Sequence, residues 1–177
     1  NTGSGIPVQK INDVWAVVKA YTSKVGEGPF ATELHDETAE NIRKVGAEFG
    51  TTTGRPRRIG WLDLEAVKFA VDLTGTTKLA ITKADVLSGI KELKVCVGYE
   101  LDGKKIPHSS CGYLELEKVT PLYKTFKGWE EDISKAKKWE DLPVNCRTYF
   151  KFIREFLGPK LEMISTGPAR EEYISLD

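Results

Sequence analysis

No stretch of this sequence approaches the ~18 consecutive apolar residues that a bilayer-spanning helix needs, which excludes a helical membrane span. An excess of either charge is missing too: Lys and Arg total 26, Asp and Glu total 26, and the formal net charge is zero. Nucleic-acid binders carry a basic excess over a face or a whole domain, so nucleic acid is not an expected partner. Cysteine is scarce. Cys96, Cys111 and Cys146 are odd in number and widely spaced, which rules out a disulfide scaffold and fits free thiols in a cytoplasmic protein. His35 and His108 stand apart from each other, and neither makes a metal-ligand spacing with a cysteine or a nucleophilic pair with a serine. There is no G-x-x-x-x-G-K-[ST] phosphate loop. An initiator methionine and a signal peptide are both absent from the opening "NTGSGIPVQ", which reads as the middle of a loop. We therefore expect a fragment of a longer protein, with residues 1–177 forming part of one domain without an internal boundary.

What is present belongs to an ordinary globular composition, 40% hydrophobic and 29% charged. Ile11, Val14, Trp15, Val18, Tyr21 and Val25 follow a 3.6-residue period and predict a helix that ends at "VGEGPF". Asp36 is the expected N-cap of a second helix with Ala39, Ile42 and Phe49 on its buried side. A third helix is expected from about Leu62 to Leu73, with Leu64, Val67 and Phe69 inward and Gly75 at its C-terminus. "TKLAIT" (77–82) reads as a buried strand. "KELKVCVGYEL" (91–101) alternates, with Leu93, Val95, Val97 and Tyr99 on one face, and Asp102-Gly103 marks a hairpin. "TPLYKTF" (120–126) reads as an edge strand because Pro121 cannot donate to a ladder. A long helix begins about Pro143 and buries Tyr149, Phe152, Ile153 and Phe156. Strands "LEMIS" and "EYISL" flank "TGPAR" near the end. The expected class is α/β, with a mixed, largely parallel central sheet flanked by helices and an antiparallel hairpin.

Three places have the residue types for binding chemistry. "TTTGRPRRIGW" (51–61) puts three hydroxyls, a glycine and three arginines together, with no acid between Glu48 and Asp63. Guanidinium groups take carboxylate or phosphate with paired hydrogen bonds. The same composition also fits a solvated basic loop or arginines paired with nearby acids. "TKAD" (82–85) follows a predicted strand. A lysine two residues before an aspartate there is able to read guanine, since the carboxylate accepts from N1–H and the exocyclic amine. Adenine lacks that pair of donors, and a site built to use them rejects it. Asp85 as a simple helix N-cap is the alternative. "STGPAR" (165–170) offers hydroxyls and amides after another predicted strand, or an ordinary Gly-Pro turn. In α/β sheets ligands bind beyond the carboxyl ends of strands, so parallel strands ending at Thr82 and Ser165 would bring these two loops together.

Read together, "VKAYTSKVGEGPFATEL", "GAEFGTTTGRPRRIGWLD", "TKADVLSGIKELKVCVGY", "KGWEEDIS" and "ISTGPAR" resemble adenylosuccinate synthetases in order and spacing. The chain is similar to roughly the C-terminal two-fifths of that family. The resemblance implies a P-loop-NTPase-like fold seen in part, and GTP-dependent ligation of IMP and L-aspartate to adenylosuccinate through 6-phosphoryl-IMP. It implies an aspartate loop of Thr51, Thr52, Thr53, Gly54, Arg55, Pro56 and Arg57. IMP would touch Arg55 and Val25, and GTP would touch Arg57, Lys83, Ala84, Asp85, Ser165, Thr166 and Gly167. It further implies Mg²⁺, whose ligands, like the catalytic base and catalytic histidine, belong to the family's N-terminal part, so that residues 1–177 alone would be inactive. A homodimer is implied as well. Departures from the family pattern are Ala84 in place of leucine, Ala31 in place of proline and Ile59 in place of cysteine. The alternative reading of the residues is a non-catalytic guanine-nucleotide or nucleic-acid module.

Overall fold

The segment from Ile11 to Val25, expected as one helix, folds as two strands, β1 (Trp15–Lys19) and β2 (Thr22–Lys24). The structure, a computed structural model, describes residues 3–176, so the first two residues of the opening loop lie outside it. The apolar spacing of this segment satisfied both periods. Val14, Val17 and Val18 favour extended backbone, and residues 15–19 pair in parallel with residues 78–82. Exposure then alternates with period two: Trp15 (51%) and Val17 (71%) face outward, while Ala16 and Val18 pack on the core.

Helix α1 (Glu37–Val45) begins as expected, with the Asp36 carboxylate accepting from the Ala39 amide at 3.1 Å. Ala39 and Ile42 are buried. Phe49 is not on that face: the chain turns at Ala47 (φ 50°), and Phe49 bridges to Pro56 and stays 43% exposed. Strands β3 (Arg58–Gly60) and β4 (Leu62–Asp63) follow, and β3 pairs with β2. Helix α2 (Leu64–Thr74) therefore starts two residues later than expected, because Leu62 and Asp63 pair with Val95 and Cys96. Asp63 caps it through the Ala66 amide, and Gly75 closes it in the left-handed conformation. Leu64 and Val71 are buried, but Phe69 is partly exposed beside the His108 ring.

Strand β5 (Lys78–Thr82) is the buried strand predicted by "TKLAIT". Strand β6 (Glu92–Leu101) turns through Asp102 and Gly103, both at positive φ, into β7 (Lys104–Ile106). Leu93 and Val95 face the main core as expected, and Val97 packs against it. A register shift between Cys96 and Tyr99 then moves Tyr99 to a second small cluster with Cys96 and Val119. Short α3 (Tyr113–Leu116) leads to β8 (Thr120–Lys127), which pairs with β6 in antiparallel fashion with Pro121 opposite Tyr99.

Helix α4 (Val144–Leu157) buries Cys146, Tyr149, Phe150, Ile153 and Leu157. Phe152 and Phe156 fill its flank, so this aromatic set is core. Strands β9 (Lys160–Ser165) and β10 (Tyr173–Ser175) complete the central sheet, in the order β1-β5-β9-β10. β5 is parallel to both β1 and β9, and β10 is antiparallel to β9. The result is the expected mixed α/β fold with a largely parallel central sheet. No helix among the described residues is long and apolar enough to cross a membrane.

Candidate functional site

Because β5 and β9 are parallel neighbours, the chain leaves both at the same edge of the sheet. The Ala84 amide donates to the Ser165 carbonyl at 3.2 Å, which joins the "TKAD" and "STGPAR" loops directly. Lys83 takes the left-handed conformation (φ 61°), rare for a side chain with a Cβ and a mark of a position fixed by its surroundings. Ala84 is fully buried. Asp85 is the first residue of a one-turn helix whose N-cap is Ala84, so the simple capping role is not the one it plays. Burial pushes the Asp85 carboxyl above its usual range, against the opposing pull of turn amides and Lys83. In the other loop Ser165 Oγ donates to the Gly167 carbonyl at 2.9 Å, and the Thr166 amide donates to the Glu172 carbonyl at 2.8 Å. Thr166 is fully buried, and its Oγ1 has no hydrogen-bond partner among the described residues.

The three arginines of the cationic loop have three different fates. The loop closes on itself through Gly50 N to Arg55 O and Gly54 N to Gly50 O, both 2.8 Å, leaving Thr51 to Arg55 exposed at its tip. Arg55 is exposed, and nothing engages its guanidinium among the described residues. Arg58 is structural: it grips both Glu33 oxygens (2.7 and 2.5 Å) and donates to the Gly28 carbonyl at 2.8 Å, fixing the "GEGPF" turn. Val25, at the start of that turn, is 76% exposed. Arg57 points inward and donates from Nη1 to Glu48 Oε2 at 2.8 Å, while its Nε is buried and has no hydrogen-bond partner among the described residues.

Glu48 was not singled out by sequence. It is fully buried, and its Oε1 accepts from the Tyr21 hydroxyl at 2.6 Å and Lys19 Nζ at 2.8 Å, with Lys83 Nζ at 3.5 Å. Burial alone would push its carboxyl up, but the hydrogen bonds from Lys19, Tyr21 and Arg57 outweigh this and hold it at about 2. Lys83 Nζ also donates to the Gly46 carbonyl at 2.5 Å. Gly46 must be glycine here, since a Cβ would stand 2.4 Å from the Tyr21 hydroxyl and 2.7 Å from the Ile42 carbonyl. The available signal was a lone acid beside the apolar Phe49, seven residues ahead of the first of three arginines.

Arg57, Lys83, Ala84, Asp85 and Ser165–Gly167 thus form one connected cluster, linked by Glu48 and by the Ala84–Ser165 hydrogen bond. Val25 and the tip Thr51–Arg55 are not tied to the base loops by hydrogen bonds or ion pairs among the described residues. Around Glu48 one carboxylate meets three cations, Lys19, Arg57 and Lys83, each about a third exposed or a little less. The surplus positive charge, beside a partly buried carboxylate and hydroxyl-bearing turns, suits a ligand with anionic groups at one end and hydrogen-bond donors at the other.

A sequence model described as adenylosuccinate synthetase matches residues 1–174. The synthetase of Mycosarcoma maydis is 53% identical over 173 residues, covering 98% of this chain and 39% of the relative. That of Aquifex aeolicus is 50% identical, covering 99% of this chain and 41% of its own length. The structure of a fully ligated adenylosuccinate synthetase from Plasmodium falciparum superposes with a TM-score of 0.95 at 36% identity, over 99% of this chain and 42% of that one. The chain spans about two-fifths of the length of the curated relatives it matches. On its sequence, its fold and the arrangement of its strand-end loops, this chain belongs to the adenylosuccinate synthetase family.

Proposed function

We propose that the chain supplies the guanine pocket and substrate loop of a ligase that joins IMP to L-aspartate at the expense of GTP, giving adenylosuccinate, GDP and phosphate. In this reading the γ-phosphoryl group passes to O6 of IMP and the aspartate amine then displaces it. Asp85 accepts from guanine N1–H and the exocyclic amine, and the Lys83 stem lies along the ring. Ser165, Thr166 and Gly167 flank the base, with Ala84 behind it. The aspartate loop, with Thr51, Thr52, Thr53, Gly54, Arg55 and Pro56 at its exposed tip and Arg57 at its base, closes over the aspartate carboxylates. Arg55 also reaches IMP beside Val25, and Arg57 reaches GTP.

The observation that carries the reading is the pairing of the Lys83–Asp85 and Ser165–Gly167 loops at the ends of parallel β5 and β9, joined by the Ala84–Ser165 hydrogen bond. Ligands of such sheets bind beyond the carboxyl ends of the strands, and two adjoining loops there offer a base a wall on each side. Family membership supplies the substrates. Mg²⁺ is expected with GTP, but among the described residues no group of three His, Cys, Asp or Glu side chains is placed to hold a metal. In this reading the ion's ligands belong to the family's N-terminal part, outside residues 1–177. A homodimer in the cytoplasm completes the proposal, in keeping with three unpaired cysteines.

The test is phosphate release by the full-length protein. Release that requires GTP, IMP and aspartate together, with adenylosuccinate formed in equal amount, supports the reading. Release that is indifferent to IMP and aspartate contradicts it.

A further inference from the structure

We propose that Glu48 is a positioning residue that couples the two ends of this site, holding the substrate-loop arginine Arg57 and the guanine-pocket lysine Lys83 on one buried carboxylate; this rests on the ligase reading above. Oε2 holds Arg57 at 2.8 Å, and Oε1 faces Lys83 at 3.5 Å while bonded to Tyr21 and Lys19. The backbone joins the same arrangement: Arg57 N donates to Glu48 O at 2.9 Å, and Arg43 Nε donates to Arg57 O at 2.9 Å. Two non-glycine residues at positive φ, Ala47 and Lys83, adjoin this carboxylate, one preceding it in the chain and one facing it. Such conformations persist only where the surroundings over-determine them.

The donors left over are what make this a coupling device rather than a closed ion-pair network. Arg57 Nε is buried without a hydrogen-bond partner among the described residues. Lys83 is about a third exposed, with its ammonium drawn back onto Glu48 and the Gly46 carbonyl. Its stem, rather than its charge, is thereby presented to a base. Glu48 is fully buried, so in this reading it does not itself meet substrate. It sets the direction of two groups that do, from loops 26 residues apart in sequence, counting from Arg57 to Lys83. A ligand that draws Arg57 towards itself must change the field at Lys83, and the reverse holds by linkage.

The test is steady-state kinetics of full-length Glu48→Gln, with GTP and aspartate varied separately beside the wild type. Coupling predicts that both KM values rise together, each by about tenfold, while kcat changes less. A purely structural role instead lowers the amount of active enzyme, so kcat falls and both KM values stay put; that result, or a rise in only one KM, overturns the proposal. Should Glu48→Gln fail to fold, Tyr21→Phe removes one donor from the same carboxylate while keeping the ring in the core. A shared rise of about two- to threefold then supports coupling, and two unchanged KM values overturn it. Absence of turnover in the wild type would instead defeat the ligase reading, and the coupling with it.

Discussion

Acidification should unload Glu48, and the size of the effect follows from its surroundings. Its carboxyl titrates at about 2 in the folded chain, against an ordinary value of 4.5 when unfolded. A depressed folded value means that its stabilisation is complete above the unfolded value and is lost as pH falls through the folded one. The gap corresponds to about 3 kcal/mol at neutral pH, of which about 2 kcal/mol has gone by pH 3. Glu33, held down chiefly by its bond to Arg58, loses stability in the same direction, so the wild-type curve alone does not isolate Glu48. Glu48→Gln does, because the amide keeps the volume and cannot titrate. The assay is urea unfolding of both proteins at pH 7, 5, 4 and 3. The wild-type advantage should be constant from pH 7 to about 5 and then shrink steeply. A difference that stays level down to pH 3 would refute the assignment of Glu48 as an ionised hub.

Other consequences concern the loop and the second cluster. Arg55→Ala should raise the aspartate KM of the full-length enzyme by at least about tenfold, through loss of a charged carboxylate clamp. It should leave the unfolding midpoint unchanged, because the Arg55 side chain is exposed and unengaged among the described residues. Tyr99→Phe should destabilise the fold by about 1–3 kcal/mol, since it strips the hydroxyl donor from Asp63, 2.5 Å away and largely buried beneath it. Its KM values should not move, and a kinetic change without a stability change would contradict the separation of that cluster from the site.

The legible parts of this molecule were those where one local signal dominated. Asp36, Gly75 and Asp102-Gly103 fix element ends through caps and positive φ, and each marks the boundary that its chemistry implies. The segment 11–25 was misread because its apolar spacing fits two periods, and only the distant strand 78–82 decides between them. Tyr99 changed face because a bulge is not visible in alternation. The candidate site divides in the same way. Lys83, Asp85 and Ser165–Gly167 were singled out because strand-end loops bind ligands, and the condition for their loops to meet, parallel pairing of the two strands, is fulfilled. Glu48 was not, because its importance comes from Lys19, Tyr21 and Lys83 converging across the fold.

The central claim is that this family member reads guanine through Asp85, and nucleotide discrimination tests it most directly. The measurement is kcat/KM with GTP and with ATP for the full-length wild type and for Asp85→Ala. The account predicts a wild-type preference for GTP of the order of 10³-fold or more, falling to within about tenfold in the variant. An undiminished preference for GTP in Asp85→Ala would contradict it.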